Sequence, residues 1–365
     1  MKSAVTRAAI HRASQQARNA MQDLDAQQAA ELLQIYEQAA QDVQALVASK
    51  ANNGDLVPLE RLQDLLRQVN DVIDALGHQR NTLMAQGLEQ AAALGVQPYT
   101  PAAVAATGQA GAQAVLGSDA AMRVATDAVK FVLNFRAADG LQLSDRVWRL
   151  DQGAKEVLGR AINSAVVQGW DAQRAAAQFM YSGQPVPADV SARLQGGTVG
   201  QVARAADLLA GNDQAEVWKA ARVFRTEANR AHGTAYMQGA AQTPGFVGFK
   251  YLLSPQHPKP DICDLLAAQN LYGLGQGVYP SADRCPWPAH PNTLSFVNIV
   301  FASDLTTADA AGKETVTDAM GRMPPDVREG ILGQQKATLW DEGKLSQGMI
   351  RSPLYAVNKR LLRRA

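Results

Sequence analysis

The sequence predicts a mainly α protein with a small α+β central domain: an N-terminal helical hairpin, a helical core, a short antiparallel β element and an extended C-terminal region. Three observations predict it. Aromatic residues are only 6% of the 365 residues while alanine is abundant throughout, a balance that suits long packed helices better than a sheet, which favours branched and aromatic side chains. Apolar residues recur every three or four positions over long stretches. The β-rich runs are confined to two short segments that follow Pro244.

From Leu24 through Leu32, Ile35, Tyr36, Ala39, Val43 and Val47 the apolar positions fall near one face of a long helix. KANNGD, from Lys50 to Asp55, breaks the pattern, and Pro58 stands near the start of a second run with Leu59, Leu62, Leu66, Val69, Ile73 and Leu76. A helical hairpin follows, either a plain packed pair or an exposed arm for assembly or oligomerisation. Between Gly95 and Gly117 the chain loses charge and gains Pro, Gly and Ala, so it reads as a linker and a domain boundary. A helix is expected from about Ser118 to Asn134, then a break at AADG. Ser144 is a candidate cap for a helix over SDRVWRL, and a further helix is expected from about Val157 to Gln168.

MYSGQPVPADV, from Met180 to Val190, interrupts the helices, which resume around Val202 and Glu216 until Pro244 forces an exit. GFVGFKYLL, from Gly245, and LSFVNIVFA, from Leu294, then read as two strands able to pair antiparallel around a cysteine-bearing loop. A polar stretch leads to a helical section over VREGILGQQKATLWDEGKLSQGMI, with Leu332 and Leu339 near its apolar face. The end is basic: Lys344, Arg351, Lys359, Arg360, Arg363 and Arg364 all follow the last acid, Glu342. That tail reads either as a solubilising, weakly ordered extension or as a contact for DNA or an acidic protein surface.

Lys plus Arg exceed Asp plus Glu by one, 35 against 34, so any nucleic-acid contact must be local rather than a property of the whole field. Two cysteines cannot build the framework of a small disulfide-rich secreted domain, and MKSAVTRAAIHRASQQ lacks the apolar stretch of a signal peptide. The expectation is a soluble cytoplasmic product without a membrane span, since no run approaches the roughly 18 apolar residues a span requires.

The strongest chemical signal is HPKPDICDLLAAQNLYGLGQGVYPSADRCPWPAH, which gathers both cysteines and two of the five histidines between His257 and His290. His257, Cys263, Cys285 and His290 make a candidate Cys2His2 zinc set, with Asp261 and Asp264 as groups that could ligate or orient a histidine. The competing reading is a metal-free loop stiffened by its many prolines, with both cysteines buried as small apolar side chains. A disulfide is a third arrangement. A cysteine nucleophile would need His257 or His290 within reach of its proton, and a hydrolytic metal centre would need a base such as Asp261 or Asp264. GLGQG, Gly273 to Gly277, lacks the lysine and the strand-to-helix setting of a nucleotide cradle. Arg225, Glu227 and Arg230 form a charged group on the helix before the first strand and read as structural anchors, with Glu227 and Arg230 at ion-pair spacing.

The ordered set RTEANRAHGTAYMQG, KYLLSPQHPKPDICD, NLYGLGQG, PWPAHPN and SFVNIVF resembles the head morphogenesis family of tailed phages, the minor head proteins that include the phage Mu F protein. The resemblance covers roughly Leu141 to Ala302. It departs from the family where relatives carry a paired-cysteine pattern and a Cys-Arg-Cys ending, because Cys263 stands alone and Cys285 is followed by Pro286 and Trp287. With the periodicity and charge readings above, the chain divides into an N-terminal helical arm over 1–96, a domain over 97–305 that with its preceding linker resembles the Mu F-like head morphogenesis domain, and a helical, basic tail over 306–365. The resemblance implies that Arg225 and Glu227 are helix anchors, and that Asp261, Cys263, Asp264, His290 and Pro291 occupy the family's loop positions. It further implies a non-enzymatic, low-copy protein of the virion head, assembled in the host cytoplasm. Its expected partners are portal and major capsid proteins, packaged DNA and further copies of itself; the expected cofactor, structural zinc, comes from the donor residues themselves and not from the resemblance. The alternative function is a metal-dependent nuclease or peptidase of phage processing.

Overall fold

In the computed structural model, alanine supplies much of the contact face of the first helix. The structure describes the chain except residues 1, 53–55, 138, 195–196, 212–214, 292 and 364–365, and for residues 2, 3, 193, 198, 201, 204 and 205 it describes the backbone alone. Helix α1 runs Lys2–Lys50. It begins well before the periodic run noted at Leu24 because Ala9, Ala13 and Ala17, each buried, serve as its first core positions beside Ile10. Such small residues give little apolar contrast in sequence, yet they permit close helix approach. The second arm of the hairpin, α2, is Leu62–Val96, and it continues past Leu76 through buried Leu83, Leu88 and Ala91.

Two compact units divide the chain. One comprises Met1–Met21, Glu89–Val129 and Asn229–Ala365; the other comprises Gln22–Leu88 and Lys130–Ala228. Each is assembled from separate stretches of sequence rather than from one continuous block.

The second unit is helical among its described residues. It contains α5, Leu143–Tyr181, α6, Ala188–Leu194, and α7, Gly197–Ala210. The two helices expected at SDRVWRL and Val157–Gln168 are one continuous helix, since nothing between them breaks the ladder. Ser144 is not its cap. Gln142 is the N-cap, with Asp145 accepting from the Gln142 amide at 2.9 Å in a capping box. Ala172, Ala176 and Val190 close a small core where α6 folds back on α5. Arg80 is 1% exposed and pairs with Asp151 at 3.0 Å, while its guanidinium also donates to Asn81 Oδ1 at 2.9 Å.

The first unit is α+β. Its linker, 95–117, is more structured than its composition suggests. Gly95 lies in the last turns of α2, where a Cβ would fall 2.1 Å from the His232 carbonyl oxygen. Tyr99 is fully buried, and its carbonyl accepts from the amides of Val115 and Leu116. Between them α3, Pro101–Ala106, is capped by Thr100. Helix α4, Ser118–Asn134, belongs to this unit through Val129, and helix α8, Glu216–Ala241, from Asn229 onward; α8 ends just before Pro244 as expected.

Strand β1, Phe246–Leu252, pairs antiparallel with β3, Phe296–Phe301, in the register Phe249 to Ile299 and Tyr251 to Val297. The two-residue strand β2, Val278–Tyr279, completes the order β2-β1-β3. Sequence reading missed β2 because two residues carry no alternation. Phe249, Tyr251, Ile299 and Phe301 are buried. Edge strand β3 has one amide capped from a helix, since Ile299 N donates to Tyr236 Oη of α8 at 3.0 Å. Gly273, Gly275 and Gly277 all have positive φ; they turn the chain from α9, Ile262–Ala268, into β2. A Cβ on Gly277 would sit 2.6 Å from Ala267 O, so close backbone approach, not phosphate binding, explains this glycine.

After β3 come α10, Thr307–Ala311, α11, Val316–Gly321, α12, Pro325–Leu332, α13, Gln334–Asp341, and α14, Leu354–Leu362. The single helical section expected around Leu332 is split at Gly333, whose φ of 74° and ψ of 150° no helix admits. The terminal region is not a weakly ordered tail: Val357 of α14 is fully buried in a core with Leu265, Met320, Leu332 and Met349.

Candidate functional site

The loop between β1 and β3 is tied down by side chains. Asp261 is the N-cap of α9, and its Oδ1 accepts from Cys263 N at 2.6 Å, while Asp264 Oδ2 accepts from Asp261 N at 2.8 Å. This reciprocal box satisfies first-turn amides that the helix cannot pair itself. It also fixes Cys263 in the first turn, where its side chain points into the interior with no exposed surface.

The Cys263 sulfur is enclosed on three sides. Tyr251 Oη of β1 donates to Sγ at 3.1 Å, His290 Nε2 lies 3.2 Å away, and Thr293 Oγ1 lies 3.6 Å away. His290 Nδ1 is 2.8 Å from the Pro291 carbonyl, a contact that requires a proton on Nδ1. Nε2 is thereby turned toward Cys263, and it also stands 3.2 Å from Asp261 Oδ2. The hydrogen bond with Cys263 raises the His290 pKa to about 9 against the opposing effect of burial, with Asp261 adding to the rise. On the other side of Asp261, His257 Nε2 lies 2.8 Å from Asp264 Oδ2 and 3.9 Å from Asp261 Oδ1.

Two overlapping groups could hold a metal ion among the described residues: Asp261 with Cys263 and His290, and His257 with Asp261 and Asp264. The predicted Cys2His2 set is not assembled. Cys285 belongs to neither group, because it closes a turn in which its amide donates to Ser281 O at 3.0 Å and its own carbonyl accepts from Trp287 N at 2.8 Å. Its thiol is free and buried, and that burial pushes its pKa up to about 12. Asp261 and Asp264, read as groups that could ligate or orient a histidine, lie among the candidate ligands. An aspartate-cysteine-histidine donor set suits a borderline-soft cation, for which imidazole and thiolate are good ligands.

Two residues that sequence reasoning overlooked hold the loop in place. Asn229, within RTEANR, donates to Thr293 O at 3.0 Å, linking α8 to the chain entering β3. Asn270 is buried; its side chain donates to Asp309 O at 2.7 Å and accepts from Gly275 N at 3.2 Å. Each lies inside a motif already singled out, Asn229 in RTEANR and Asn270 at the head of NLYGLGQG, and that position is the sequence signal for both.

The expected anchors are distributed differently from their spacing. Arg225 Nε donates to Asp25 Oδ2 at 2.8 Å and so ties α8 to α1. Glu227 is 5% exposed and Arg230 half-buried. In the basic region Lys344 pairs with Glu342 at 2.8 Å, and Arg360 donates to Gly348 O at 3.2 Å. Arg351, Lys359 and Arg363 are exposed, the last two on or at the end of α14; Arg364 lies outside the described residues. No helix among the described residues is long and apolar enough to cross a membrane.

No protein family, curated protein or solved structure matches the chain.

Proposed function

We propose that this protein is a non-enzymatic minor head protein of a tailed phage, contributing to capsid assembly, portal-proximal organisation and DNA packaging or delivery. The observation that carries the non-catalytic part is the enclosure of Cys263. A thiol with no exposed surface, held by Tyr251, His290 and Thr293, meets no substrate atom, and its contacts join α9, β1 and the entry to β3. These contacts suit a loop whose shape is the product. The phage-head part rests on the resemblance of the ordered motifs, and it gains support from their spatial relation. The segment from Asn229 onward, the cysteine-bearing loop, the glycine turn and the closing strand all belong to one unit, and Asn229 bonds directly to the segment after PWPAHPN.

In this reading the long N-terminal helices present an assembly surface, and the exposed cations of α14 approach portal protein or packaged DNA. Quantitative mass spectrometry of gradient-purified particles, DNA-free heads and host lysate tests it. Reproducible low-copy recovery in particles is expected. Absence from both particle forms despite expression would reject a virion role, leaving a transient assembly factor or the nuclease or peptidase alternative. Hydrolysis by purified protein, lost on replacing Asp261 or Asp264 without unfolding, would select the enzyme.

A further inference from the structure

We propose that Asp261, Cys263 and His290, without Cys285, form a three-residue binding site for Zn2+ whose fourth position faces solvent. The inference is independent of a virion role, since it concerns only the donor atoms of one loop.

The distances suit a shared ion. With Zn–S near 2.3 Å and Zn–N or Zn–O near 2.0 to 2.1 Å, tetrahedral coordination puts sulfur about 3.5 Å from nitrogen and nitrogen about 3.3 Å from oxygen. Cys263 Sγ and His290 Nε2 are 3.2 Å apart, His290 Nε2 and Asp261 Oδ2 are 3.2 Å apart, and all three donor atoms lie within 4.8 Å of one another. The sulfur–nitrogen and nitrogen–oxygen pairs need only a few tenths of an ångström of expansion to reach those values.

The surrounding bonds already orient each donor. Nδ1–H of His290 is used on Pro291 O, so the ring presents Nε2. Asp261 spends Oδ1 on the Cys263 amide and keeps Oδ2 toward His290. Tyr251 Oη donates to the sulfur at 3.1 Å and holds it in place. His257 is not the fourth ligand, because its Nε2 is engaged with Asp264 at 2.8 Å. Access is provided on one side: Cys263 is enclosed, but the side chains of Asp261 and His290 are 34% and 35% exposed. An ion can therefore enter past the carboxylate and imidazole, with water completing its shell. The mixed sulfur, nitrogen and oxygen set favours Zn2+ over Mg2+ or Ca2+, which select oxygen donors.

The test uses the full-length chain, purified without chelator and then exchanged into metal-free buffer. Elemental analysis should find about one zinc per chain, and adding Zn2+ to the stripped protein should raise its melting temperature, because an ion bound only by the folded state stabilises it. Co2+ in place of Zn2+ should give the intense visible bands of a tetrahedral centre with a thiolate charge-transfer band. Cys263→Ser should abolish that band, and His290→Gln should lower affinity at least tenfold. Asp261→Asn keeps an equally good N-cap, so its loss of zinc affinity with an unchanged melting temperature for the metal-free form separates ligation from folding. Cys285→Ser should bind as the parent does. No stoichiometric zinc and no thermal response would overturn the proposal and leave a knot held by hydrogen bonds alone. Zinc lost in Cys285→Ser but kept in Asp261→Asn would overturn it in favour of the two-cysteine set.

Discussion

His232 shows how one side chain couples the fold to pH. It is half-buried on α8 with its Nε2 covered, stacks on Tyr236 with ring centroids 6.2 Å apart, and burial, aided by the charge of Arg18, depresses its pKa from 6.5 to about 4. In the unfolded chain the same imidazole protonates near 6.5. Its contribution to stability is therefore complete above that value and is lost as pH falls from 6.5 toward 4. Between pH 7 and pH 5 the parent should lose up to about 2 kcal/mol that His232→Phe, which keeps a ring against Tyr236, does not lose. Urea unfolding of both proteins at the two pH values measures this; equal losses would show that His232 is not the group responsible. The Arg80–Asp151 pair gives a second residue-level expectation. Arg80 is 1% exposed and Asp151 26%. Asp151→Ala strands a cation away from water and should cost about 3 to 5 kcal/mol. Arg80→Met keeps much of the side-chain volume and leaves a carboxylate that reaches solvent, so it should cost less. The reverse order in denaturant melts would contradict this assignment of burial.

At the scale of elements, two glycines with opposite roles separate helix interior from helix boundary. Gly159 lies within α5 with open space where a Cβ would go, so Gly159→Ala should stabilise the protein by about 0.4 to 1 kcal/mol. Gly333 joins α12 to α13 at φ 74° and ψ 150°, a conformation essentially reserved for glycine, and Gly333→Ala should cost about 1 to 3 kcal/mol. Thermal melts of the two variants should move in opposite directions. The same elements show how far sequence reading reaches. Helix α4 and the end of α8 follow the predicted limits because local chemistry sets them. The continuity of α5 did not follow, because a stretch such as Asp151–Glu156 lowers apolar contrast without breaking a helix.

For the whole molecule, a net charge of only +1 places any DNA contact on local features, of which the exposed cations of α14 are one. With Lys359, Arg360 and Arg363 all replaced by Gln, affinity for duplex DNA should fall and the slope of log affinity against log salt should flatten by up to about one unit per lost phosphate contact. Fluorescence anisotropy over a salt series reads both quantities. Unchanged affinity and slope would assign the helix to protein contacts, with Val357 still anchoring it in the core. Each compact unit gathers distant stretches of chain, an organisation that local periodicity cannot reveal.

The sequence by itself determined the helical class, the hairpin, the antiparallel pairing of the two main strands and the segment that carries the chemistry. These depend on short-range physics: apolar spacing, alternation, proline and glycine. Only the tertiary structure decided which donors meet. Asp261 and Cys263 are neighbours through a cap, but His290 joins them because β1 and β3 pair and Asn229 holds Thr293 in place. Cys285, equally prominent in sequence, turns into a separate buried turn. Spacing along a loop cannot distinguish those two outcomes, because the path of the loop is set by contacts with elements far away in the chain.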